Sequence, residues 1–123
     1  DSSAYAKAMN TLHYVGRNLA AFMDRYDVIL QPTAAQPPLP LGFLNMDRKD
    51  IDALFRDLLG FIPFSGLYNI TGQPSMSMPL HWNEAGLPIG TMFTARFGDE
   101  ATLFRLAAQL EQARPWKDRQ PPL

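Results

Sequence analysis

Side chains with chemistry in them are few and do not cluster. Ser65, Ser75 and Ser77 lie in or just before the run Asn69-Ile70-Thr71-Gly72-Gln73-Pro74-Ser75-Met76-Ser77-Met78-Pro79-Leu80. A serine nucleophile on a strand–turn–helix elbow needs Gly-x-Ser-x-Gly, and the sequence has no such motif. His13 falls in a helical run and His81 in a turn, with no spacing that suggests a metal pair. There are no cysteines, which excludes disulfides, thiolate metal sites and a cysteine nucleophile. Asp47, Asp50 and Asp52 could be read as acid–base machinery. They sit at a helix start beside Arg48 and Lys49, where carboxylates suit the positive end of the helix dipole. Gly86 and Gly90 flank a proline and precede a strand, so they make no phosphate loop. Asn69-Ile70-Thr71 fits the glycosylation sequon, a match common by chance. By motif alone the chain holds no catalytic constellation.

The elements that must position these groups are easier to read. Pro74 and Pro79 cannot donate ladder hydrogen bonds, so they are expected at the ends of a strand from about Ser75 to Leu80. Pro88 to Arg96 reads as its hairpin partner, across a turn holding Trp82, Asn83 and Gly86. Upstream, Tyr5, Met9, Leu12, Val15, Leu19, Phe22 and Met23 recur at helical spacing after a Ser2 or Ser3 cap, with the helix ending at Tyr26-Asp27. Val28-Ile29-Leu30 then reads as a short strand buried on both faces, stopped by Pro32. Thr33 to Leu44 is proline-rich and extended, either a stiff surface connection or the wall of a cleft. From Asp47 to Gly60, Ile51, Leu54, Phe55, Leu58 and Leu59, continued by Ile62, form the stripe of an amphipathic helix. One further short helical segment is expected between Phe61 and Ile70. Asp99 caps the last helix, whose Leu103, Leu106, Ala107 and Leu110 face inward, and Arg114 before Pro115 ends it.

Size and composition bound the class. With 123 residues, 46% hydrophobic and 19% charged, the chain is one globular segment without repeats or a second domain. A net charge of −1 gives no electrostatic case for nucleic acid or an anionic membrane as partner. No apolar run approaches the roughly 20 residues needed to span a bilayer. The lack of cysteine fits a reducing compartment, so a cytoplasmic location is expected. The start at Asp1, straight into a helix, reads as a cut end, so the expectation is a fragment.

The whole length resembles the C-terminal part of amidase signature enzymes, serine-dependent amide hydrolases. Tyr26-Asp27-Val28-Ile29-Leu30-Gln31-Pro32-Thr33 is similar to that family's "YDVLLTPT" stretch, and Leu67 to Pro79 to its "N-x-T-G-x-P-x-x-S-x-P" stretch. Gly86-Leu87-Pro88-Ile89-Gly90, Gly98-Asp99-Glu100-Ala101-Thr102-Leu103 and Leu106 to Glu111 follow in the family's order.

The resemblance implies an α/β fold: the C-terminal helices and strands of a mixed, mainly parallel sheet core, with a β-hairpin and about three amphipathic helices. It implies hydrolysis of a small-molecule carboxamide to acid and amine or ammonia, without metal or cofactor, by a nucleophilic serine, a bridging serine in a cis peptide and a lysine base. Those groups belong to the family's upstream portion. Ser65, Ser75 and Ser77 do not correspond to its serines, nor Lys7, Lys49 and Lys117 to its lysine, so no catalytic residue is assigned here. Ile62, Phe64, Ser65 and Gly66, just before the Asn-x-Thr-Gly run, would line the acyl side of the substrate cleft and suit an uncharged, bulky acyl group. Ile62 and Phe64 serve a core equally well. Asn69 and Thr71 are expected to tie the loop backbone through side-chain hydrogen bonds. Alone, the chain is expected to be inactive and to self-associate through open strand edges, in a swapped dimer for example. A stand-alone α/β binding or assembly module without catalysis is the alternative.

Overall fold

A computed structural model describes residues 1–122. In chain order it contains α1 (Ser2–Met23), β1 (Val28–Pro32), α2 (Ile51–Phe61), α3 (Ser65–Thr71), β2 (Ser75–Trp82), β3 (Pro88–Ala95) and α4 (Glu100–Ala113). The strands form one sheet in the order β1-β3-β2. Both pairings are antiparallel, so the α/β class holds while the mainly parallel character implied by the resemblance is not carried by these three strands.

The hairpin occurs as the spacing predicts. Asn83 closes its turn by accepting the Leu87 N–H on its side chain (2.8 Å) and donating its own N–H to the Leu87 carbonyl (3.0 Å). β2, however, runs through Pro79 to Trp82. Met78 pairs with Thr91 and His81 with Ile89, so Pro79 and Leu80 together oppose Gly90 in a β-bulge. A bulge on an edge strand is a place where a residue without an N–H disturbs no ladder bond.

β3 is the central strand, and Met92, Phe93, Thr94 and Ala95 are all buried. Phe93 and Ala95 share one face and form a core with Met78 of β2 and Leu103 of α4, edged by Val28, Met76, Leu80, Leu106, Leu110 and Trp116. β1 is the other edge strand. The expected two-sided burial of Val28–Leu30 fails at Leu30, which is 65% exposed, because nothing in the described residues lies over that side of the edge.

Helix ends follow local chemistry. Asp1, rather than Ser2 or Ser3, caps α1 by accepting the Ser3 and Ala4 N–H groups, and the helix ends at Met23. Asp50 accepts the Ala53 N–H at the start of α2. Asp57, about two turns further on, holds the Arg48 guanidinium at 2.6 Å. α3 stops at Gly72, whose φ of 81° is the left-handed conformation favoured by glycine and whose N–H donates to Tyr68 O (2.8 Å). A Cβ there would also lie 2.9 Å from the Phe97 ring. Asp99 caps α4 through Thr102. No helix among the described residues is long and apolar enough to cross a membrane.

Candidate functional site

The stretches singled out by sequence converge on one point. Thr33 closes the first, Ser77 lies in the second and Gly90 ends the third, and in the sheet they touch. Thr33 extends the β1–β3 ladder by donating its N–H to Gly90 O (3.0 Å). Its hydroxyl is hydrogen-bonded to that of Ser77 at 2.6 Å, a contact spanning 44 residues of sequence. Gly90 lies beneath that pair: a Cβ on it would sit 2.6 Å from both hydroxyl oxygens. Only glycine leaves room for the two hydroxyls to meet over the central strand, opposite the bulge at Pro79 and Leu80.

Around this hydroxyl pair opens a cleft of about 250 Å³. Thr33, Ala34, Gln36 and Pro38 wall one side, Phe61 from the end of α2 another, and Ser77, Pro88, Ile89 and Gly90 form the floor. The loop after β1 is fixed across it by the Ala35 N–H, which donates to Phe61 O (2.9 Å). A second hollow of about 350 Å³ shares Ala34, Gln36 and Ile89 and continues the cleft towards His81 and Asn83. The proline-rich segment is therefore a cleft wall. The two hydroxyls and the Gln36 amide can donate and accept hydrogen bonds, and the rest of the lining is mostly apolar. Such a surface can orient a neutral polar molecule. Among the described residues no group of three metal-ligating side chains occurs.

Ile62, Phe64, Ser65 and Gly66 lie together in the short connection from α2 into α3, beside Phe61. Ile62 caps the end of α2, Phe64 precedes α3 as its N-cap, and Ser65 and Gly66 begin α3. The first three are half-buried and Gly66 is exposed, with open space where a Cβ would project. None of the four lines the cleft itself; their neighbour Phe61 does. Of the two expected loop ties, Thr71 donates its hydroxyl to Leu67 O (2.9 Å) and pairs with the Gln73 side chain, while Asn69 is exposed and makes no such bond among the described residues.

In sequence Thr33 and Gly90 stand out only as members of separate stretches, Ser77 only as a serine outside any catalytic motif, and nothing marks Gln36 or Phe61 as cleft residues. An isolated glycine inside a strand pattern, as at Gly90, signals a close approach, and that signal was present. What approaches it is decided by strand order, which the sequence does not display.

Among the described residues, the shifted ionisation is that of Asp99, away from the cleft. The Thr102 hydroxyl donating to Asp99 (2.8 Å), aided by the Thr102 N–H and the charges of Arg105 and Arg96, holds the Asp99 carboxyl below its usual range.

The family model described as Amidase matches residues 1–104. A Mycobacterium leprae protein provisionally named amidase AmiC is 43% identical over 110 residues, covering 89% of this chain and 23% of that protein. The 6-aminohexanoate-cyclic-dimer hydrolase of Pseudomonas sp. (strain NK87) is 31% identical over 98% of this chain and 26% of its own length. A solved structure of 6-aminohexanoate cyclic dimer hydrolase superposes with a TM-score of 0.88 at 29% identity, over 98% of this chain and 26% of that one. The chain thus spans about a quarter of the length of the relatives it matches.

Proposed function

This chain belongs to the amidase family, and on that footing we propose that it is the C-terminal part of an enzyme hydrolysing a carboxamide to an acid and an amine or ammonia. The observation that carries the reading is the match over residues 1–104, reinforced by the meeting of the family-like stretches at Thr33, Ser77 and Gly90. The chemistry would follow the route the family resemblance implies. A serine hydroxyl attacks the amide carbonyl, a bridging serine in a cis peptide relays its proton, and a lysine kept neutral by its surroundings accepts it. Backbone amides hold the oxyanion, the amine leaves with a proton, and water releases the acid.

In this reading no residue of the present chain is nucleophile or base; both come from polypeptide outside it. The chain's own contribution is shape. The cleft over the Thr33–Ser77 pair and the connection bearing Ile62, Phe64, Ser65 and Gly66 line the substrate side, the latter against the acyl group. Their mostly apolar character supports an uncharged, bulky acyl chain. A relative named for hydrolysing the 6-aminohexanoate cyclic dimer favours an aliphatic one.

The test uses a serine-reactive fluorophosphonate, with the labelled peptide identified by mass spectrometry. A polypeptide of the relatives' full length should be labelled at a serine outside the present 123 residues, and the 123-residue chain alone should remain unlabelled. Stoichiometric labelling of Ser65, Ser75 or Ser77 would contradict the assignment.

A further inference from the structure

Past the last residue matched by the family model, the chain builds a separate hollow. Arg114 caps α4 by donating its N–H to Leu110 O (2.8 Å), and Pro115 prevents further helix. Trp116 turns back against the core, and a bond from the Arg119 N–H to Trp116 O (3.0 Å) closes the turn. That turn lays the Arg119 guanidinium over the Trp82 ring, 4.4 Å from its centroid. The tail then reaches the hairpin turn, where Pro122 would lie 3.0 Å from a Cβ on Gly86. Between tail and hairpin is a space of about 300 Å³ whose lining includes His81, Trp82, Arg114, Trp116 and Arg119, and no acidic residue.

The electrostatics of this hollow are unbalanced. Arg114 spends one donor on Leu80 O (3.1 Å), leaving the rest of its fork available. Among the described residues neither Arg114 nor Arg119 has a carboxylate within ion-pair distance. Neither indole N–H finds a protein acceptor there. Two exposed guanidiniums line one concavity, so an anion placed between them would meet both. Stacking on Trp82 holds the Arg119 plane in place before any ligand arrives, so little side-chain freedom is lost on binding. Planar forks of donors match the two oxygens of a carboxylate, and flat indole walls accommodate an apolar body.

We propose that the hollow between the hairpin end and the C-terminal tail is a carboxylate-binding site, in which Arg114 and Arg119 hold the anion of a small organic acid and the tryptophans wall its apolar part. The acid released by an amide hydrolase belongs to this ligand class, a link that rests on the proposed function. Binding itself requires no turnover, so the two readings fail separately.

The test follows the indole N–H signals of Trp82 and Trp116 by NMR while sodium benzoate is added to the 123-residue chain. Sodium chloride at matched ionic strength and inorganic phosphate serve as parallel titrations. Benzoate should produce saturable shifts on both signals, and Arg119→Gln should weaken that binding about tenfold. As a measurement independent of any variant's folding, benzoate should protect Arg114 and Arg119 from phenylglyoxal. The proposal is overturned if benzoate acts no differently from chloride, if phosphate binds more tightly than benzoate, if a folded Arg119→Gln binds benzoate unchanged, or if neither arginine is protected.

Discussion

At the scale of single residues, the chain is governed by where small groups leave room for polar ones. Gly90 lets the Thr33 and Ser77 hydroxyls meet, and Gly66 leaves open space at the start of α3. Gly66 therefore offers a probe of the proposed acyl side, because a Cβ there meets nothing within 4 Å in this chain. In the full-length enzyme, Gly66→Leu should raise KM for bulky amides by about tenfold and spare small ones, read from steady-state kinetics on a size series. Equal effects on both would remove Gly66 from the pocket. Asp99 contributes to the acid dependence of stability. Its carboxyl is held below the ordinary value, so the ionised form is favoured by folding. The stabilisation is present above the unfolded pKa, about 3.9, and is lost as pH falls through the lower folded value. Thermal melts of Asp99→Asn should thus lie below those of the parent at neutral pH and converge with them at strongly acidic pH. A constant gap across that range would show that ionisation of Asp99 is immaterial.

At the scale of elements, much of the fold was legible because local rules and tertiary context agreed. The cap at Asp99, the turn at Asn83 and the stop before Pro115 all follow from side-chain chemistry within a few residues, whereas α2 starts at Ile51, capped by Asp50, and not at Asp47. Legibility failed where a neighbour decides. Proline at 79 reads locally as the end of a strand, yet β2 continues because two residues can bulge opposite Gly90. An apolar triplet reads locally as a buried strand, yet strand order puts β1 at an edge and Leu30 outside. The same distinction splits the stripe of α2. Leu54 is buried and Leu58 half-buried, whereas Ile51, Phe55 and Leu59, four residues apart along an adjacent line, stay exposed. The two lines should respond differently to truncation. Leu54→Ala should cost about 2–5 kcal/mol in urea unfolding, the range for a buried leucine. Phe55→Ala should change stability by less than about 0.5 kcal/mol, as surface substitutions do, while lowering the apparent mass in light scattering at high concentration. Comparable destabilisation by both would mean that the helix packs on a different side. The candidate cleft was only half legible: its residues were quoted stretch by stretch, but their meeting depends on β3 lying between β1 and β2.

At the scale of the whole molecule, many large apolar side chains stand on the outside of the chain. Leu41, Phe43, Met46, Phe97, Phe104 and Tyr5 are exposed, as is the outer line of α2. The largest buried apolar cluster, Met78, Phe93, Ala95 and Leu103, lies around β3, while Met23, Leu54 and Tyr68 are buried singly on α1, α2 and α3. Surfaces of this kind mark contacts with other protein. They agree with a chain that spans about a quarter of the relatives it matches. Under the proposed function, α1 to α4 and their sheet would be the shaping part of an amide hydrolase whose reactive groups lie on polypeptide beyond these residues. Release of amine or ammonia from a panel of neutral carboxamides, measured side by side for the purified 123-residue chain and for a polypeptide of the relatives' full length, tests this most directly. Turnover is expected from the longer polypeptide and none from the chain alone. Hydrolysis by the chain alone, or a folded full-length polypeptide that leaves every amide intact, would contradict it.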